Sequence, residues 1–161
     1  MAAQGFNTVF AVHLASSFGD IAEMLGEYRR EFAAHAPRPV EPPKAGFSLH
    51  VHVAETDEQA LAQARPAFAA FMHNFTHRYV VRHEPERLAR YAERMDFDGE
   101  IARGRLLVGS PATVREQLGR MLRQSGANYF LGAFFFGSLT LPQAVRSLEL
   151  FAREVSPSLS K

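Results

Sequence analysis

The sequence contains no cysteine and no tryptophan. Without cysteine the chain cannot form disulfides, thiolate zinc sites or a cysteine nucleophile, and this composition fits a reducing compartment. The charges nearly cancel, because 18 Lys and Arg residues stand against 17 Asp and Glu, so the net charge favours neither nucleic acid nor a membrane surface. No apolar run approaches the length of a membrane span, and no signal-peptide pattern opens the chain. We therefore expect a cytoplasmic protein.

Three apolar segments of strand length alternate with helical patterns in the 161 residues. They cover residues 6–12, 47–54 and 128–136. The third segment is apolar throughout, which is typical of a strand that is buried on both faces of a parallel sheet. Strands that alternate with helices predict right-handed βαβ units in an α/β fold.

Capping residues mark where the main helices begin and end. Asp20, Thr56, Ser110 and Thr140 each precede a helical pattern, as N-cap residues do. Gly126 follows the helix that begins after Ser110 and predicts its end. These signals predict four helices, each of which follows a strand or an apolar segment.

Two segments lack a clear periodic pattern. The prolines within residues 37–46 predict a stiff surface connection. Residues 78–104 are rich in arginine and are consistent with either a mobile lid or a solvated helical excursion, and we favour the excursion. Inside this segment, residues 85–91 predict a short helix with proline in its first turn, and residues 96–99 predict a turn.

Four histidines stand at spacings that metal sites use. His50 and His52 alternate along a strand and so face the same way. Such a pair can supply two zinc or iron ligands, but no third ligand is indicated, and a polar core or lumen position is the simpler interpretation. His73 and His77 share one helical face without the glutamate of a zinc protease, which favours a solvated surface. We predict no metal site.

Three motifs along the chain resemble one known family. Residues 1–7, MAAQGFN, resemble its W-A-A-x-x-G stretch, and residues 51–60, VHVAETDEQA, resemble its V-x-V-A-x-T-D-E-x-A junction. Residues 107–114, LVGSPATV, with the glycine at 126 and the segment 146–157, RSLELFAREVSP, resemble its closing run. Because the motifs occur in the same order, the chain is similar to the C-terminal part of the bacterial-luciferase-like, flavin-dependent monooxygenases.

This resemblance implies a partial TIM (β/α)8 barrel with about three parallel strands and outer helices. Residues 1–161 would form a single segment, and much of the flavin-phosphate site would precede it. The family oxidises organic substrates with reduced FMN and O₂, and some members use a deazaflavin. The alternative is a truncated, inactive relative that has lost flavin binding and acts as an oligomeric structural protein. A complete small α/β protein of unrelated function is a third hypothesis.

The resemblance also implies roles at the end of the first strand. Ala11, Val12 and His13 stand where the family lines the flavin ring. We predict that Ala11 and Val12 bind the cofactor and that His13 is catalytic, as a proton donor, the alternative being an ordinary loop residue. The luciferases carry a tryptophan near Val12, and this chain has none.

We assign His50, His52 and Gly137 as further cofactor-binding residues. Ligands in barrel enzymes gather at the C-terminal ends of the strands, so we expect the flavin and substrate near Ala54 and Gly137. An open parallel sheet also exposes edges and apolar side chains. We therefore expect a homo-oligomer, most simply a two-fold dimer.

Overall fold

The computed structural model describes residues 2–12, 15–35 and 43–159. Within these ranges the chain forms four strands and six α-helices, in the order β1, α1, β2, α2, α3, α4, β3, α5, β4 and α6. His13 and most of the proline-rich connection predicted at 37–46 lie outside the described residues. No helix in the described ranges combines the length and apolar character that crossing a membrane requires.

The elements have the following bounds. The strands are β1 Thr8–Ala11, β2 Ala45–Val53, β3 Leu106–Gly109 and β4 Tyr129–Ala133. The helices are α1 Phe18–His35, α2 Asp57–Val81, α3 Pro85–Ala89, α4 Phe97–Ala102, α5 Pro111–Ser125 and α6 Leu141–Leu150. Short 3₁₀ segments lie at Ala2–Gln4, Ala92–Met95 and Ser156–Ser158, and a π-helical turn at Phe151–Val155 continues α6.

Strand β2 is the hub of the sheet, because every other strand pairs with it and each pairing is parallel. Its residues 45–48 pair with β1, residues 46–50 with β4, and residues 50–53 with β3. The predicted arc of about three parallel strands is confirmed, with β3 as an added fourth strand. Strand β3 has only four residues, too few to show an alternating pattern in the sequence.

The apolar side chains form two clusters, one on each face of the sheet. Phe47 and Val51 of β2 pack with α1, α5 and α6, together with Ile21 of α1. Leu106 and Val108 of β3 pack with α2 and α4 on the other face. Helices therefore cover both faces where β2 and β3 pair.

Strand β4 differs from the sequence prediction. Its residues alternate between exposed and half-buried, and Leu131 is 49% exposed. The prediction of a strand buried on both faces is therefore wrong for this chain. Only the face that carries Phe130 packs into a core cluster, because no described helix covers the face that carries Leu131.

Three predicted helix starts are confirmed. The Thr56 hydroxyl accepts from the Gln59 amide at 3.1 Å, and the Ser110 hydroxyl accepts from the Thr113 amide at 3.4 Å. Thr140 forms a reciprocal capping box at the start of α6. These caps form because each hydroxyl satisfies a first-turn N–H that has no partner inside the helix.

Helix α1 begins earlier than predicted. It starts at Phe18, so Asp20 lies inside the first turn and is not the N-cap. The Asp20 carboxylate accepts from the backbone amides of Ser16 and Ser17 at 2.9 and 3.0 Å. These bonds hold the pKa of Asp20 below its usual value. The serines preceding the helix therefore set its start.

The excursion at 78–104 packs against helix α2. Arg65 of α2 donates two hydrogen bonds to the Asp98 carboxylate at 2.8 and 3.0 Å, and the neighbouring Phe97 is buried. The short helix predicted at 85–91 is confirmed as α3. The turn predicted at 96–99 is wrong, because α4 begins at Phe97. These contacts support a helical excursion.

The Asp57 carboxylate connects the N-termini of α2 and α5. It accepts from the Ser110 amide at 2.6 Å and from the Thr113 hydroxyl at 2.9 Å. The Ser110 amide contributes most to holding the pKa of Asp57 below its usual value. A side chain at Gly109 would approach Asp57 Oδ1 to 2.9 Å. Two motifs that are 53 residues apart in sequence therefore meet at one carboxylate.

Replacing Asp57 with alanine should lower the free energy of unfolding. We expect a loss of about 1–2 kcal/mol at neutral pH, because the carboxylate accepts two hydrogen bonds at an exposed position. The folded-state pKa is lowered, so this stabilisation exists above the unfolded pKa and is lost as pH falls through the folded pKa. The free energies of unfolding of the unchanged chain and of Asp57→Ala, measured with urea, should therefore converge below about pH 4.

Glu58→Ala is the matched control, because it also removes one negative charge from the first turn of α2. It should cost clearly less than Asp57→Ala. Equal losses would mean that Asp57 stabilises the protein through its interaction with the helix dipole and not through the contact with Ser110.

Candidate functional site

One face of the sheet is only partly covered. Ala11, Ser48 and Leu131 are register partners across β1, β2 and β4, and register partners point to the same face. Val9 and Ala133 lie on this face by the same registers. We call these five residues the sheet floor. Each is exposed or half-buried, so the sheet floor is an accessible, mostly apolar surface.

An aromatic wall borders the sheet floor on the C-terminal side of β2. His50 follows Ser48 on the same face, and its ring makes an edge contact with Phe71 of α2 at 4.5 Å between centroids. The Phe136 ring, from the segment after β4, lies 5.0 Å from His50. We call His50, Phe71 and Phe136 the aromatic wall. Helix α2 therefore covers the sheet from His50 onward and leaves the sheet floor open.

A small cavity lies behind His50. It has a volume of about 30 Å³, which is room for about one water molecule. Its lining combines aromatic and apolar side chains with a charged end, and consists of His50, Phe68, Phe71, Met72, Phe75, Tyr91, Arg94, Glu100 and Arg105. Ligand sites usually have volumes of about 300–1,000 Å³, so this cavity is too small to hold a flavin or an organic substrate.

Glu100 and Arg105 form a buried ion pair at the charged end of this cavity. Their side chains are 8% and 4% exposed, and Arg105 Nη2 donates to Glu100 Oε1. Arg105 Nη1 also donates to the carbonyl of Ala15 at 3.0 Å. Burial raises the pKa of Glu100, and Arg105 partly offsets that effect. Within the described part of the chain, Arg105 Nε is buried without an acceptor.

The buried pair connects α4 and the start of β3 to the segment that follows β1. Arg94 Nη2 donates to the same carbonyl of Ala15 at 3.3 Å, so two arginines hold this segment. Ala15 lies just beyond the C-terminal end of β1, where barrel enzymes place their ligands. Arg105 therefore fixes the backbone at the end of the sheet where we expect a ligand.

Two of the predicted cofactor-binding residues lie at the open part of this face. Ala11 belongs to the sheet floor, and His50 to the adjoining aromatic wall. Val12 has no exposed surface and packs into the core beside α1. The predicted catalytic residue, His13, lies outside the described residues.

His52 and Gly137 pack against helix α2. The His52 ring has no exposed surface, and its Nε2 lies 2.8 Å from Gln63 Oε1. Burial lowers the pKa of His52, which favours a neutral ring. Gly137 adopts φ 57°, and a Cβ at this position would lie 1.7 Å from the Ala67 carbonyl oxygen. In this structure α2 thus occupies the space that a ligand would need beside both residues.

The sequence did not indicate the charged end of the cavity. Glu100 and Arg105 stand five residues apart across the end of α4, a spacing that matches neither a helix face nor a strand face. Phe71 was recognisable only as part of the apolar stripe of α2. The one signal available in the sequence was that Glu100 and Arg105 precede the apolar run of β3. No group of three or more His, Asp or Glu side chains that could hold a metal occurs in the described ranges.

The family model for luciferase-like monooxygenases matches residues 3–129. This match covers most of the chain, and the chain belongs to that family. The last of the three motifs extends beyond the matched region. No curated protein matches the sequence.

Solved structures of monooxygenases share the fold. The monooxygenase RslO1 from Streptomyces bottropensis is 19% identical with a TM-score of 0.72, covering 99% of this chain and 44% of its own. Apo-MsnO8 is 23% identical with a TM-score of 0.65, covering 96% and 46%. The oxygenating constituent of 3,6-diketocamphane monooxygenase from Pseudomonas putida, solved with FMN, is 20% identical with a TM-score of 0.68, covering 99% and 44%. The chain thus spans less than half the length of these structures.

Replacing Arg105 with methionine should destabilise the protein in a pH-dependent way. The change removes the buried partner of the Glu100 carboxylate and leaves only the longer contact with Arg103 Nη1 at 3.9 Å, and breaking a buried pair typically costs up to about 3–5 kcal/mol. A carboxyl whose folded-state pKa is raised stabilises the fold below its unfolded pKa, and that stabilisation is lost as pH rises through the folded value. The free energy of unfolding of Arg105→Met, measured with urea, should therefore fall as pH rises above the ordinary pKa of a glutamate, about 4.3.

The double variant Arg105→Met with Glu100→Gln is the control for this pH dependence. It should recover part of the lost stability and show no comparable decline, because the buried carboxyl that titrates has been removed. A decline of equal size in the double variant would assign the effect to another group.

Proposed function

We propose that the chain forms part of a flavin-dependent monooxygenase and that the flavin ring lies on the sheet floor. Membership of the luciferase-like family supports the activity class. The observation that carries the location is the uncovered strip of sheet beside His50. Small side chains at Ala11, Ser48 and Ala133 let a flat molecule approach the strands closely.

The dimensions of the sheet floor suit a fused ring system. The strip crosses three strands, which at normal strand spacing span about 10 Å, the scale of a three-ring molecule. The aromatic wall gives the ring an apolar edge to pack against. Leu131 of β4 offers further apolar surface, and its exposure leaves it free to be covered. The residues present therefore fit a flavin ring.

Each group has a separate part in this proposal. A bound reduced flavin supplies the chemistry with O₂. The sheet floor orients the ring and excludes water from one side, while the Ser48 hydroxyl can donate to a ring acceptor. Arg105 and Arg94 hold the backbone at Ala15, and we propose His13 as the proton donor two residues before it.

Replacing Leu131 with lysine should weaken flavin binding. The ammonium group would lie against the ring without a partner, and we expect a loss of about tenfold or more, equivalent to at least about 1.4 kcal/mol. Fluorescence anisotropy of FMN with increasing protein measures the dissociation constant. A deazaflavin titrated in parallel shows which cofactor binds more tightly.

Leu148→Lys is the matched control, because Leu148 of α6 is as exposed as Leu131, at 49%, but lies away from the sheet floor. It should bind FMN like the unchanged chain. Equal weakening in both variants, or no FMN binding by the unchanged chain, would contradict the proposed location.

A second candidate function rests on the same exposed surface. Tyr129 and Leu131 are large apolar residues that are 39% and 49% exposed on β4. Complete exposure of a large apolar side chain forfeits about 1.5–3 kcal/mol, and these two residues forfeit part of that. A catalytically inactive structural protein could bury them in a homodimer with two-fold symmetry. This function would need no flavin, whereas the first requires one. The cytoplasm is the proposed setting for either.

Sedimentation velocity distinguishes the two candidates. If a second copy covers the sheet floor, the colourless chain should sediment as a dimer and Leu131→Lys should shift it to a monomer. Leu148→Lys should leave the dimer intact. A stable monomer that stays yellow after free FMN has been removed by gel filtration would exclude the homodimer and support the flavin site.

A further inference from the structure

Helix α2 carries two histidines side by side on its outer surface. His73 and His77 are both exposed, and their ring centroids lie 5.8 Å apart with the planes tilted by 34°. Residues four apart on a helix are neighbours one turn apart. The two imidazoles are therefore already close to each other and open to solvent.

The rest of α2 leaves this surface free of competing cations. At 100° per residue, Phe75 and Tyr79 lie on the opposite side of the helix. The Arg78 guanidinium lies over these two rings, at 4.6 and 4.7 Å from their centroids, and donates to the Tyr79 hydroxyl at 2.8 Å. The charge nearest in sequence is therefore held on the far side of α2 from the histidine pair.

We propose that His73 and His77 form a two-histidine site for a divalent transition metal ion, Cu²⁺ or Zn²⁺. Both ions accept imidazole nitrogen at about 2.0–2.1 Å, and small rotations of the two side chains bring their nitrogens to one point. The described residues include no group of three potential ligands. Water therefore completes the coordination shell, and Cu²⁺ binds more tightly than Zn²⁺.

The site lies on the turn of α2 that forms part of the cavity behind His50. Met72 and Phe75 line that cavity, and the Thr76 hydroxyl donates to the Met72 carbonyl at 2.7 Å. A metal bound to His73 and His77 would link two consecutive turns of α2, the same turns that carry Met72 and Phe75. Metal binding therefore also raises the thermal stability of the chain, since the ion binds the folded helix only.

Titration with Cu²⁺ in a non-chelating buffer tests the site. We expect one ion per chain by calorimetry, and electron paramagnetic resonance should show coupling to two imidazole nitrogens. His73→Gln and His77→Gln should each weaken binding by about tenfold or more, as loss of even an outer-shell partner costs about 10- to 100-fold. Zn²⁺ should compete for the same site.

His35→Gln and His83→Gln are the controls, because both residues are exposed and lie outside the pair. They should leave the affinity unchanged. Coupling to a single nitrogen, or binding that survives in both His73→Gln and His77→Gln, would overturn the proposal. Circular dichroism of each variant without metal confirms that α2 still folds.

Discussion

The contact between the Asp57 carboxylate and the start of α5 joins the two halves of the chain at the C-terminal ends of β2 and β3. Parallel strands need long crossover connections, and β2 and β3 are joined by the excursion through α2, α3 and α4. The parallel ladder with β2 and the packing of Leu106 and Val108 hold β3 in register, and a contact at the ends of these strands adds to them. Asp57 supplies it by satisfying the first amide of the β3–α5 junction. The two family motifs that meet there are therefore each other's structural partners.

The position of β2 at the centre of the sheet explains why one face holds a candidate site. Helices α1, α5 and α6 cover the face that carries Phe47 along the whole of β2. Helix α2 covers the opposite face only from His50 onward, where Gln63 contacts His52 and Phe71 contacts His50. The uncovered half forms the sheet floor. The accessible sheet floor thus lies on one side of His50, and the enclosed cavity with its charged end lies on the other.

The sequence predicted the features that depend on contacts between residues close together in the chain. The caps at Thr56, Ser110 and Thr140 are decided within four residues, and all three are confirmed. The exposure of Leu131 could not be predicted, because it depends on whether any element covers that face of β4. The pairing of Glu100 with Arg105 depends on where α4 folds back, and no periodic pattern records that. His50 and Ala11 were placed on one face only through strand register, which requires the sheet.

Pro66 lies inside helix α2 and interrupts its backbone hydrogen bonds. Proline has no N–H, so the carbonyl of Ala62 lacks its usual helical donor, and the ring crowds that carbonyl. The turn around Pro66 is therefore the weakest in α2. On one side of it, Ala60 and Ala64 pack against the sheet; on the other, Phe71 forms the aromatic wall. We expect α2 to open first at this turn, which separates the part that covers His50 from the junction at Asp57.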